Sequence, residues 1–253
     1  MLKVKTTEEF TNSEFGNEYV RILAPLAGKH MGIFLDAIKN RTADNLDYNL
    51  IGTANEITLK KISNYYGLLH TVFEDLGLVL SFLRVNERSK LYELFPELEN
   101  DEQYYVYHLE NYIIRISTVS DLVGKLGNIL YKTGIDDEKC NGHKFKEALS
   151  KIGSSKTAMI EKLLIRTKEI KDIRHKKIHT GESELPYLTG IVFYSDLMKL
   201  INEKASPILD EYTDKNLIAE IDKIETEIFE VISIVNDFLD ASIDKLKDLV
   251  KEE

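Results

Sequence analysis

Between Lys215 and Val250, Leu217, Ile221, Ile224, Ile228, Val231, Val235 and Phe238 recur at alternating spacings of three and four residues. Only an α-helix brings such a series onto one face, and the alternation is that of a bundle or coiled-coil seam. A helix of roughly 35 residues would be about 50 Å long. That is longer than one compact bundle needs, so the excess is expected to pack on a second subunit.

The rest of the chain reads as partners for this seam. A helix from about Glu18 to Asn40 carries Tyr19, Ile22, Leu23, Leu26, Ile33, Phe34, Ala37 and Ile38 as an apolar stripe, with Pro25 marking a kink or a later start. The polar stretch Arg41 to Asn55 reads as a loop. A second helix spans about Glu56 to Phe95, broken near Gly77 or Asn86 and ended by Pro96. The most apolar run, about Glu102 to Lys132, belongs in the middle of the bundle. After the turn at Gly134 to Gly142 and a short helix from Lys144 to Lys151, Gly153-Ser154-Ser155 caps a helix beginning near Lys156. Further helices are expected over Leu188 to Asn202 and, beyond Pro207 and the polar Asp210 to Asp214 region, over the seam itself. Four prolines in 253 residues, with 30% charged and 43% hydrophobic side chains, agree with this. The expectation is an all-α fold forming a single domain over residues 1–253.

The central run also carries a polar stripe. Ser117, Asp121, Gly124 and Asn128 fall at i, i+4, i+7 and i+11, on one helical face. A buried carboxylate needs a partner. Either the stripe is a close helix crossing with internal hydrogen bonds, or it is a wall facing the helix that ends at Arg174.

The first residues hold no apolar core of a signal peptide, and no later segment gives the roughly 18 uncharged apolar residues of a membrane span. The chain is therefore expected in the cytoplasm. One cysteine, Cys140, makes no internal disulfide and no Cys-rich zinc site. With neither a P-loop nor a GxGxxG, no nucleotide-driven chemistry is expected.

Charge singles out one segment. The net charge is −10, yet residues 139–179 hold twelve Lys and Arg against four Asp and Glu, a local +8 that leaves −18 elsewhere. Such a segment attracts phosphate. It ends in Ile170-Lys171-Asp172-Ile173-Arg174-His175-Lys176-Lys177-Ile178-His179-Thr180-Gly181. Ile160, Leu163, Leu164, Thr167, Ile170 and Ile173 form the core face of this helix, and Arg174 lies beside it, where it can be held rigidly. Basic side chains before Gly181 also suit an ordinary helix C-terminus. His175 and His179, at i and i+4, could share a zinc ion, with only the remote His143 as a third ligand, so no metal site is expected. Five residues at 100° each place Arg174 and His179 about 140° apart on a continuous helix. They converge only if the helix unwinds near Lys177 or if two subunits supply the pair.

Arg174-His175-Lys176-Lys177-Ile178-His179 resembles the signature of the HEPN superfamily: an Arg, a polar residue, three or slightly more residues, and a His. The central helix with Arg115, Asp121 and Asn128 resembles it as well, and the resemblance covers roughly residues 100–240, leaving 1–95 as an N-terminal helical extension. It implies an antiparallel helical bundle of the HEPN type with additional N-terminal helices. It implies a homodimer with two motifs around a cleft and, in many members, a metal-independent endoribonuclease without cofactor, in a toxin or defence role beside an antitoxin or regulatory protein. Other members bind RNA or nucleotides, or act as partner modules, without cutting. Under this resemblance Arg174 grips phosphate, His179 is acid or base at an ordinary histidine pKa of about 6.5, and His175 orients the site. Lys171, Lys176 and Lys177 bind RNA, while Asp121 and Asn128 give support.

Overall fold

In a computed structural model, the structure describes residues 2–40, 51–84, 93, 101–180 and 206–251. Its elements are α1 (Leu2–Thr11), α2 (Glu14–Lys39), α3 (Ala54–Leu83), α4 (Asp101–Leu130), α5 (Gly142–Lys151), α6 (Thr157–Thr180), α7 (Ser206–Asp240) and α8 (Ile243–Lys251), with one 3-10 turn at Asp137–Lys139. No strand occurs among the described residues. The fold is all-α.

The chain divides into two compact units, each assembled from three stretches. The first holds Met1–Thr7, Val72–Thr118 and Ile165–Ile232; the second holds Glu8–Thr71, Val119–Leu164 and Ser233–Glu253. The helices α3, α4, α6 and α7 therefore each give one segment to each unit. In the first unit the core includes Phe73, Leu80, Tyr105, Ile116, Ile228 and Val231, all at or near zero exposure. In the second it includes Phe10, Phe15, Leu69, Leu126, Phe145 and Phe238. Burying each such side chain contributes about 1.5–3 kcal/mol, which is why the apolar periodicity decides the fold.

The seam of α7 is buried along Leu217, Ile221, Ile228, Val231, Val235 and Phe238. Its helix begins earlier than expected. Pro207 and Asp210 to Asp214, expected to precede it, lie inside α7, because a proline in the first turn has no missing hydrogen bond to lose. Its end is also different: the helix stops at Asp240 and resumes as α8 at Ile243. Ser242 Oγ donates to Phe238 O at 2.7 Å, and Asp240 Oδ1 accepts from Phe15 N at 2.7 Å. Pro25 lies within α2, which Ser13 caps through Oγ. The segments 41–50 and 188–202, expected as loop and helix, lie outside the described residues, as does the proposed stop at Pro96.

Among the described residues one helix, α3, is long and apolar enough by composition to cross a membrane. In the structure Leu59, Ile62, Tyr66, Leu69, Phe73, Leu76 and Leu80 of this helix are buried.

Candidate functional site

The segment α6 carries the motif. Ile160, Leu163, Thr167 and Ile170 are buried at helical spacing, and Arg174, four residues on, continues that row. The Arg174 side chain is half-buried; its Nε is shielded from solvent and has no hydrogen-bond partner among the described residues. A buried N–H without an acceptor costs about 1–3 kcal/mol.

His175, the next residue, is exposed, and Lys171 is half-buried. The helix runs without a break from Thr157 to Thr180. Local unwinding near Lys177 does not occur, so Arg174 and His179 keep their separation of about 140° around the axis. The side chains of Lys176, Lys177 and His179 lie outside the described residues.

Two basic residues of the segment, Arg166 and Lys146, are paired with carboxylates. Arg166 donates through Nε to Glu230 Oε2 and through Nη1 to Glu227 Oε1, both at 2.7 Å. The Tyr112 hydroxyl donates to Glu227 Oε2. Burial, then the Glu227 charge, pushes the Tyr112 phenol well above its ordinary range. The local charge count made Arg166 part of a positive patch; its partners lie 61 and 64 residues away in sequence, and nothing local announces them. Lys146 pairs similarly with Glu161 at 3.0 Å.

Asp121 and Asn128, expected to support Arg174, are drawn into the second unit's turns. Asp121 Oδ1 accepts from Gly142 N at 3.3 Å. Asn128 Nδ2 donates to Ile135 O at 2.8 Å, while its Oδ1 accepts from Ile135 N at 3.1 Å and from Thr133 Oγ1 at 2.5 Å. Between them, Gly124 lets the backbone of Asn141 and Gly142 approach: a Cβ there would stand 2.7 Å from Asn141 C. The polar stripe of α4 is thus a close crossing with internal hydrogen bonds. Cys140 packs into it, its thiol pushed up chiefly by burial. Nearby, a cleft of about 840 Å³ is lined in part by Lys61, Asn64, Tyr65, Asn128 and Asp137, and the Tyr65 hydroxyl donates to Asp137.

Among the described residues no group of three His, Cys, Asp or Glu could hold a metal ion. The arrangement that remains is one half-buried arginine on the core-facing row of α6, with two histidines following it along the helix. That combination defines a class of helical protein with an Arg-x4-His motif. The model of the Cthe2314-like HEPN family matches residues 79–247, and the chain belongs to the HEPN superfamily. No curated protein and no solved structure matches it.

Proposed function

We propose that the chain is a metal-independent endoribonuclease of HEPN type whose site is completed by a second copy. The observation that carries this reading is Arg174, set by the core-facing row of α6 with a buried Nε awaiting an acceptor. A phosphate oxygen is such an acceptor, and a guanidinium fork suits it. Strand cleavage by the RNA 2′-hydroxyl needs a base for that proton, an acid for the leaving 5′-oxygen, and positive charge on the pentacovalent phosphorus. His179 of one subunit is the acid or base beside Arg174 of the other, and His175 orients the 2′-hydroxyl. Lys171, Lys176 and Lys177 attract the strand. A cytoplasmic toxin or defence role, held in check by an antitoxin or regulatory protein, fits such an enzyme.

The test is cleavage of RNA by purified chain in EDTA, with product ends identified. Products bearing 2′,3′-cyclic phosphate are expected, with Arg174→Ala and His179→Ala each lowering the rate about 100-fold or more. Unchanged rates in both variants would remove the assignment.

A second reading is favoured by the unbroken α6, which separates Arg174 from His179 within one chain. On that reading the chain binds RNA, or acts as a dimeric interaction module, without cutting. Salt-sensitive RNA binding without turnover, lost when Lys171, Lys176 and Lys177 are neutralised, distinguishes it.

A further inference from the structure

The cleft of the second unit is built by one face of α3 and the end of α4. Ile57, Lys60, Lys61 and Asn64 fall at i, i+3, i+4 and i+7, within a sector about 100° wide, and open on it. Asn128 and Ile129 on α4, with Ile135 and Asp137 in the turn that follows, line it too. Its volume of about 840 Å³ is that of a small-molecule site, which spans roughly 300–1,000 Å³. Two hydrogen-bonded groups fix the walls. The Asn128 carboxamide is engaged with Thr133 and Ile135, and the Tyr65 hydroxyl ties α3 to the turn through Asp137.

What these walls leave unanswered is positive charge. Lys61 makes no hydrogen bond or ion pair among the described residues, and the Asn64 side chain makes no hydrogen bond among them. Lys60 stands beside Lys61 and donates to Ile51 O at 2.8 Å. Lys125 brings a third ammonium to 5.7 Å from the Tyr65 ring centroid, also with no ion pair among the described residues. Asp137 is the one carboxylate among the described lining residues, so the cleft is net positive, and a concave wall concentrates that field. A phosphate monoester, with a charge of about −1.5 to −2 at neutral pH, answers two adjacent ammonium groups better than a carboxylate or phosphodiester of single charge. About one helical turn from Lys61, roughly 5 Å along α3, Asn64 offers a donor and an acceptor to hydroxyl groups. Tyr65 takes Oδ2 of Asp137 and leaves Oδ1 as a further acceptor. The half-buried Ile129 and Ile135 give a carbon skeleton apolar contact.

We infer that this cleft binds a small phosphorylated polyol of the sugar phosphate class, its phosphate on Lys60 and Lys61 and its hydroxyls on Asn64 and Asp137. The site lies wholly in the second unit, on residues outside the Arg174 motif, and does not rest on the nuclease reading.

The test is isothermal titration of the full chain with glucose 6-phosphate, inorganic phosphate and glucose at low salt. Glucose 6-phosphate is expected to bind at one site per chain with a Kd below about 1 mM, and the other two at least about tenfold more weakly. Lys61→Ala should weaken glucose 6-phosphate at least about fivefold, whereas Lys151→Ala, at an exposed lysine of α5 outside the cleft, should leave it unchanged. Asn64→Ala should narrow the gap between glucose 6-phosphate and inorganic phosphate while leaving phosphate binding as it was. Lys61 and Asn64 are exposed, so both variants should keep the helical circular dichroism of wild type. Equal losses in Lys61→Ala and Lys151→Ala would reduce the effect to general surface charge and overturn the inference. So would inorganic phosphate binding as tightly as glucose 6-phosphate, or glucose 6-phosphate failing to saturate by about 10 mM.

Discussion

Arg166 on α6 holds Glu227 on α7 through Nη1 at 2.7 Å, and the other oxygen of that carboxylate accepts from the buried Tyr112 hydroxyl on α4. Three helical segments of the first unit are thereby tied at one carboxylate. The helix that bears Arg174 is anchored two turns before the motif.

Removing Arg166 leaves Glu227 and Tyr112 to share a site with one charge unanswered. Because the Arg166 side chain is 36% exposed, solvent screens part of the loss. Arg166→Ala is expected to lower unfolding free energy by about 1–2 kcal/mol, read as a shift in urea midpoint at constant slope. Arg166→Lys recovers only part of it, since an ammonium cannot fork to Glu227 and Glu230 together. A midpoint within error of wild type in both variants would show the tie to be dispensable.

Helix α3 starts on a reciprocal cap. Thr53 N donates to Glu56 Oε2 at 2.9 Å, and Glu56 N donates to Thr53 Oγ1 at 3.3 Å, the capping-box arrangement. Thr53→Ala should cost about 1 kcal/mol. The Lys29 hydrogen bond first, then the Thr53 backbone, holds the Glu56 carboxyl below its ordinary range. A depressed folded-state pKa contributes stability that is present above the unfolded value of 4.5 and lost as pH falls through the folded one. Glu56→Gln should therefore flatten the acid limb of the stability curve below about pH 4.5, while a limb identical to wild type would count against the cap.

Much of this architecture was legible in the periodicity. The central helix expected over Glu102 to Lys132 is Asp101–Leu130, because a greasy 3.6-residue repeat leaves few alternatives. Helix α1 was not legible: its ten residues show little amphipathic pattern, and its buried Thr6 and Phe10 are defined by what they pack against. The Asp121 and Asn128 stripe showed that a polar face existed but not its partner, which is the backbone of turns 21 residues away for Asp121 and 7 for Asn128. Arg174 could be placed beside the core face from spacing alone. Whether the helix persisted to His179 could not, since basic and imidazole side chains serve a helix end and a helix interior alike.

His108 gives a pH dependence of opposite origin from Glu56. It is buried among Phe82, Tyr104 and Tyr107, with ring centroids 4.8, 4.5 and 5.1 Å away, and burial pushes its imidazole down to about 4. An unfolded chain with its histidine near 6.5 binds the proton that the folded one refuses. Stability is then fully present above about pH 6.5 and falls toward pH 4, by at most about 1.4 kcal/mol per pH unit from this group. His108→Phe should reduce the difference in stability between pH 5 and pH 7 by about 1–2 kcal/mol; chemical denaturation at the two values measures it. An unchanged difference would mean that the ring protonates in place.

Because α6 is unbroken through Thr180, the nuclease proposal makes a demand that the motif alone does not. If Arg174 of one copy works with His179 of the other, each damaged chain can repair the other. In an equal mixture of Arg174→Ala and His179→Ala chains, half the dimers are mixed. Each mixed dimer has one site with Arg174 and His179 both intact and one with neither, so about one quarter of wild-type activity should return. Neither variant alone should show it. If both side chains of a working site came from the same chain, mixed dimers would contain no intact site and the mixture would stay as inactive as its components. Co-refolding the two variants and assaying RNA cleavage in EDTA separates these cases, and a mixture without recovered activity, beside an active wild type, would place the working pair within a single chain.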